Sequence, residues 1–384
     1  NNLEQWGYGA HTFTVNDIAD DQGGRVHLQF NSSFYDTDSL SRSEVYTIER
    51  KDGDIWMVVQ SFGAYGAEQY NVEVSTLYNN IPTEFRIIAH MDEGNYATYE
   101  TIEGTSIDNI YPTTPSLMYA EHEGDDITIN WQYELEADFN YHTITGLWNT
   151  TYSTENTLDY ELSDTNDEHR IQSVDINDNQ SEESQSLLSR KLYAGANLIS
   201  FNVLPEDGTV SNVLSSLDCN VVGVITEAGA CNQIACGTWV GSHCTIHPEH
   251  GYWIILNEDD ILLVIGDPTD RNESYPLPLY AGANLIGYPY RFATPTSNAL
   301  PDAIEEDVVG VITEGGACIQ LEPGNWVGSH CDFHGSHGYW MITASAISLS
   351  FINGCDDPEL ECASLSRKSQ NLSTIPDGYD YRQS

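Results

Sequence analysis

A duplication constrains the fold more than any other feature of this chain. Gly237 to Trp253 reads GTWVGSHCTIHPEHGYW, and Gly324 to Trp340 reads GNWVGSHCDFHGSHGYW. Leu192 maps to Leu279, Cys231 to Cys318, Cys244 to Cys331 and Trp253 to Trp340, each 87 positions on. A constant offset over such a length means a folding unit copied without net insertion or deletion. The copies open alike, with LYAGANLI at Leu192 and at Leu279. They agree again at Val222-Gly-Val-Ile-Thr-Glu227 and Val309-Gly-Val-Ile-Thr-Glu314. Between those stretches the copies diverge, and Thr209 to Leu217 is predicted to form a short helix. Strands are predicted at Tyr252 to Leu256 and Ile261 to Ile265, so each copy reads as a small β-rich domain, at 188–274 and 275–362.

The first half of the chain carries a different pattern. Val26 to Phe30, Tyr46 to Arg50, Ile55 to Val59 and Phe85 to Ala89 are short runs rich in β-branched and aromatic residues. Turn signals separate them: Gly23-Gly24, Lys51-Asp-Gly53 and Asp92-Glu-Gly94. That punctuation, with no amphipathic helix, predicts an antiparallel sandwich over 1–110. Asp52-Gly53 is placed as a hairpin turn. Tyr111-Pro-Thr-Thr-Pro115 leads into a second unit, 111–187, with core candidates Ile127, Ile129, Trp131, Tyr133, Ile144, Leu147, Ile171 and Val174. Its prolines, its Trp131 and the run from His169 to Ser181 resemble a fibronectin type III domain, and the first unit resembles one more loosely. The resemblance implies two β-sandwiches serving as spacers or binding modules, and no particular chemistry. The repeats resemble Gly-Ala-Asn-Leu-Ile and Gly-Tyr-Trp repeats of large secreted bacterial proteins, which likewise implies no defined chemistry. Gln180 to Ser189, polar and serine-rich, reads as a linker, and 363–384 as a polar tail. The tail's Leu365-Ser-Arg-Lys368 echoes Leu188-Ser-Arg-Lys191, and a tail docked on a neighbouring copy would build a linear polymer.

Charge narrows the function classes. With 13 basic and 59 acidic residues, the formal net charge is -46. Nucleic acid and anionic membranes bind through lysine and arginine and are poor partners for such a chain. Divalent cations, a cationic partner or a salty medium suit it. The apolar runs fall far short of the ~20 residues of a spanning helix, so no membrane insertion is expected. Beginning at Asn1 without a methionine, the chain is expected to be a processed product or a fragment. Asp175-Ile-Asn-Asp-Asn179 offers oxygen ligands for calcium but lacks the Gly and Glu of an EF-hand loop, and a polar hairpin tip explains it equally well.

The eight cysteines all follow residue 218, which with the acidity points to an oxidising, extracellular setting. Cys231 with Cys244 and Cys318 with Cys331 recur in both copies, so each pair most simply closes within its own domain. Cys219 and Cys236 are absent together from the second copy, where Glu306 and Pro323 stand, which suggests a third pair. Cys355 and Cys362 remain as a fourth. The alternative is zinc, held by Cys231, Cys244, His247 and His250 and again by Cys318, Cys331, His334 and His337. His243 and His330 would then add a ligand or an outer partner. The spacing matches no common zinc finger, and an oxidising compartment pairs thiols first.

No nucleophile-elbow, phosphate-loop, zincin or dinucleotide motif is present. Ser242-His243 and Ser329-His330, if on strands, would point to opposite faces. Trp239, Tyr252, Trp253, Trp326, Tyr339 and Trp340 could form platforms for glycans, but are first read as core. Sequons occur at Asn31, Asn149, Asn179, Asn272 and Asn371. The expectation is a non-enzymatic extracellular structural or adhesive protein that self-associates into a surface filament or layer. The runner-up is a carbohydrate-binding accessory region of a larger secreted protein.

Overall fold

Val26, Leu28 and Phe30 are buried on one strand, and Phe85, Ile87, Ala89 and Met91 on another, with more exposed residues between. A period of two turns every second side chain inward, which is how a strand buries one face. The computed structural model describes residues 10–37, 43–98, 101–162, 166–269 and 276–352. The chain divides into two compact units, 1–112 with 175–180, and 113–174 with 181–384.

The first unit contains β1 (His11–Asp17), β2 (Arg25–Asn31), β3 (Val45–Asp52), β4 (Ile55–Gly63), β5 (Gln69–Ser75), β6 (Thr83–Met91), β7 (Gly94–Ala97) and β8 (Ile102–Gly104). One sheet runs β1-β2-β5 and the other β4-β3-β6-β7, with β8 also on β6. Phe30, Tyr46 and Tyr70 pack together between the sheets, and the Tyr46 hydroxyl donates to the buried Asp36 carboxylate at 3.0 Å. Gly53, at φ 64°, closes the β3–β4 hairpin where the Asp-Gly signal put it.

The second unit opens with the same order. It contains β9 (Ser116–Glu123), β10 (Asp126–Gln132), β11 (Phe139–Thr145), β12 (Thr150–Ser153), β13 (Thr157–Glu161), β14 (Asn166–Asp175) and β15 (Ser186–Leu192). Its sheets run β13-β10-β9 and β12-β11-β14-β15. In both sandwiches a three-strand sheet faces a four-strand set, which β8 extends in the first sandwich and two strands of the first repeat continue in the second, an arrangement like that of fibronectin type III domains. Trp131 is buried there with Ile127, Ile129, Ile144 and Ile171.

The first repeat follows as β16 (Gly195–Ile199), β17 (Val203–Leu204), α1 (Val210–Val213), β18 (Val221–Ile225), β19 (Ala230–Ala235), β20 (Thr238–Gly241), β21 (Tyr252–Leu256) and β22 (Asp260–Pro268). The second is β23 (Leu277–Leu279), β24 (Gly282–Gly287), β25 (Thr294–Pro295), α2 (Thr296–Ala299), α3 (Asp302–Glu305), β26 (Val308–Thr313), β27 (Gly316–Glu322), β28 (Asn325–Gly328), β29 (Asp332–Phe333), β30 (Gly338–Thr343) and β31 (Ile347–Leu349). The sheets β16-β21-β18-β19-β20 and β24-β30-β26-β27-β28 have one order. The register repeats too: Val224 lies opposite Cys231, and Val311 opposite Cys318. The chain is therefore mainly β, with two sandwiches followed by two homologous, disulfide-bearing repeats.

One expectation is corrected. Gln180 to Ser189 is no linker, because β15 pairs with β14 of the sandwich and with β22 of the first repeat. The expected boundary at 187/188 thus cuts through a shared strand. Leu187, Ile261 and Leu263 face the sandwich core, whereas Leu188, Leu262 and Val264 face the core of the first repeat. The unbroken apolar run Ile261 to Ile265 records this, since a strand buried on both faces shows no polar alternation. Ser181, Ser184, Ser186 and Ser189 are all buried, and their hydroxyls are satisfied; Ser181 and Ser184, for example, accept the N–H groups of Ser173 and Ile171.

Candidate functional site

The conserved stretch of each repeat builds a loop between its fourth and fifth sheet strands. In the first repeat a disulfide joins Cys231 on β19 to Cys244 in that loop, and in the second Cys318 joins Cys331. Cys219 joins Cys236. Cys355 and Cys362 lie outside the described residues. The buried Tyr252 hydroxyl then accepts the His247 N–H at 2.8 Å, and Tyr339 accepts that of His334 at 2.7 Å. Tyr252 and Tyr339 are thus core, while Trp239, Trp253, Trp326 and Trp340 are half-buried. The Trp326 indole donates to Glu305 Oε1 at 2.7 Å, which ties it to its own domain.

These loops face the other repeat reciprocally. Glu227 Oε2 accepts the Leu285 N–H at 2.9 Å, and Glu314 Oε2 accepts the Leu198 N–H at 3.1 Å. His250 bridges to Ile286, and His337 to Ile199. The Gly287 N–H donates to Glu249 O, as the Ser200 N–H does to Ser336 O. Each contact has its partner at the repeat offset, which makes a two-fold interface inside one chain. Gly251 and Gly338, the glycines of Gly-Tyr-Trp, let the backbones meet. A Cβ on Gly251 would stand 2.7 Å from Ile286 O, and one on Gly338 2.7 Å from Ile199 O. Gly338→Ala should therefore lower stability by roughly 1–3 kcal/mol, as overpacking does. An unchanged urea midpoint would contradict the close approach.

The geometry alters the zinc alternative. The sulfurs of Cys231, Cys244, Cys318 and Cys331 are bonded to one another, so they are not thiolate ligands. Among the described residues, none of the histidines at 243, 247, 250, 330, 334 and 337 joins three donors close enough to share an ion. The Ser242 and His243 expectation is also corrected: they lie beyond β20, so strand alternation does not separate them. Ser242 Oγ and His243 Nδ1 are 2.8 Å apart, and Ser329 Oγ and His330 Nδ1 3.0 Å. Both pairs are exposed and rest against Gly229 and Gly316.

At Asp175, Oδ1 accepts the N–H groups of Asn177 and Asn179 at 2.7 and 2.9 Å, and Oδ2 accepts Asn179 Nδ2 at 2.9 Å. This is a side chain closing its own turn, as at a polar hairpin tip. Asn179 is thereby committed through its amide, Asn31 is half-buried and Asn149 is exposed. Asn272 and Asn371 lie outside the described residues.

Burial holds His250, His334 and His337 below the usual histidine range, His337 down to about 3, with the Arg190 charge adding to its shift. Burial likewise takes His142, in the second sandwich, to about 4. The unfolded chain binds protons on these rings near pH ~6.5 while the folded one does not, so stability rises with pH through that window. It should fall as pH drops from 7 to 5, before most carboxylates protonate and relieve self-repulsion. Urea midpoints at pH 7, 6 and 5 check this, and a flat series would contradict it.

A buried polar constellation lies on β14, where the sequence carries no signal of one. Glu168 on β14 is fully buried, and its Oε1 accepts from Arg170 Nε at 2.9 Å and from Ser186 Oγ at 3.1 Å. Its Oε2 accepts from Asn202 of the first repeat at 2.6 Å. Arg291 of the second repeat brings Nε within 3.7 Å of Oε1 and donates from Nη2 to the carbonyls of Glu168 and Thr145 at 2.7 and 2.9 Å. One carboxylate thus joins the sandwich and both repeats.

No family model matches the chain, and no curated protein matches it in sequence. Among solved structures, the FN1–FN3 domains of chicken CNTN1 align over 47% of this chain and 66% of that one, at 12% identity and a TM-score of 0.22. The strand order described above, rather than that alignment, identifies the sandwiches.

Proposed function

We propose that this is a non-enzymatic extracellular structural or adhesive protein, a subunit of a cell-surface or extracellular filament or layer. The observation that carries the reading is the β15–β22 pair, whose two faces serve the cores of the sandwich and of the first repeat. A binding module hung on a linker needs no such junction, whereas a subunit that transmits load along its chain does. Three disulfides support an oxidising location, where such bonds persist. Among the described residues no helix is long and apolar enough to cross a membrane. The net charge of -46 makes divalent cations, calcium foremost, the proposed bridges between copies.

Electron microscopy of native, unheated material, before and after chelation, tests the reading. Regular filaments or sheets are expected, dispersing when the cation is removed. Single particles alone would overturn it. A monomer whose tryptophan fluorescence shifts with a glycan would put a carbohydrate-binding accessory region in its place.

A further inference from the structure

The two-fold between the repeats breaks at Arg190. Arg190, on β15, is buried against the second repeat's histidine loop. Its Nη1 donates to Ser336 O at 2.6 Å and Ser336 Oγ at 2.8 Å, and lies 3.4 Å from His337 Nδ1. The equivalent residue on the other side of the two-fold is Leu277. There the first repeat's histidine loop borders a cleft of about 520 Å³, lined among others by Glu227, His243, His247, His250, Tyr252 and Leu277. His250, Tyr252 and Glu227 correspond to His337, Tyr339 and Glu314 around Arg190. The open cleft therefore keeps the carboxylate, imidazole and phenol that have counterparts around Arg190, and lacks the guanidinium.

We infer that this cleft is a guanidinium-binding site and that its occupant is Arg367 of the same chain. Arg190 stands in Leu188-Ser-Arg-Lys191, and the same four residues recur at Leu365-Ser-Arg-Lys368. In a chain with 13 basic residues, that match singles out one arginine. The described chain ends at Ile352, three residues past Leu349, which pairs with Leu277 at the cleft. With the expected Cys355–Cys362 bond in place, the chain from Ile352 to Arg367 still reaches about 30 Å when extended. Tethering raises the local concentration of the arginine to about millimolar. The inference does not depend on filament formation.

The test uses the full chain, its Arg367→Gln variant and a synthetic peptide of residues 363–372, with binding followed by calorimetry. The Arg367→Gln chain should bind the peptide, and the native chain about tenfold less well or worse, because its own segment competes. A peptide carrying glutamine at 367 should bind neither. Adding Leu277→Arg to the Arg367→Gln chain installs the Arg190 arrangement and should abolish binding, with thermal melting as the check that it folds. Excess arginine amide, displacing the peptide from the Arg367→Gln chain, gives the same answer without a second substitution. Equal binding of the arginine and glutamine peptides, or no binding, would overturn the site. Equal binding by native and Arg367→Gln chains would overturn the own-segment assignment. So would a native chain that associates with concentration while Arg367→Gln stays monomeric, which would make a second copy the donor.

Discussion

Glu168→Gln should lower the stability of the second unit by about 3–5 kcal/mol, the cost of removing one member of a buried ion pair. The substitution keeps the shape of the side chain and removes its charge. Arg291 then loses the carboxylate whose Oε1 lies 3.7 Å from its Nε, while Arg170 retains Glu183 at 3.2 Å, which sets the loss toward the lower end. Asn202 and Ser186 also lose a charged acceptor, and hydrogen bonds to charged groups are the stronger kind. Arg291→Met in the same chain should cost less than the sum of the single changes, with a coupling of roughly 0.5–3 kcal/mol. Urea denaturation of the four proteins of that cycle measures it. Strict additivity would mean that the two residues do not act as one junction.

The disulfides should differ in worth, and the duplication says in which order. Replacing Cys231 and Cys244 together by alanine should cost roughly 3–4 kcal/mol, and the equivalent change at Cys318 and Cys331 about the same. Both bonds close loops of sequence separation 13, and Cys231 and Cys318 are fully buried in their cores, so a void adds to the lost constraint. Cys219–Cys236 spans 17 positions, and chain entropy alone would make it the most valuable. Yet the second repeat, with Glu306 and Pro323 at those positions, forms the same five-stranded sheet. Both cysteines of that pair are also exposed. Its removal should therefore cost about 2 kcal/mol, near the bottom of the usual range. Midpoints of the three double-alanine variants in urea decide this, and a larger loss at Cys219–Cys236 would contradict the ranking.

Local and repeated features were legible in the sequence. The constant offset delivered two sheets of identical strand order, and the shared cysteines delivered the pairs Cys231–Cys244 and Cys318–Cys331. Trp131, Ile127 and Ile129 were recognisable as core because apolar residues alternate there. What stayed hidden depends on contacts between distant segments. Ser181 to Ser189 has the composition of a linker, and only the long-range partners of its hydroxyls permit burial. Glu168 and Arg170 look like surface charges until Asn202 and Arg291 arrive from both repeats. The one available signal was the run Ile261 to Ile265, too uniformly apolar for a strand with a wet face. Ser242 and His243 were separated by a strand rule that does not hold in the loop where they lie.

The functional reading rests on the claim that the second sandwich and both repeats behave as one body. Native-state hydrogen exchange on the oxidised chain tests it most directly, through the opening free energies of amides in β10, β18 and β26. The account predicts one shared value in all three, falling in step when Glu168→Gln is introduced. Separate values, with β18 and β26 opening while β10 stays protected, would contradict it and return the repeats to the status of independent beads.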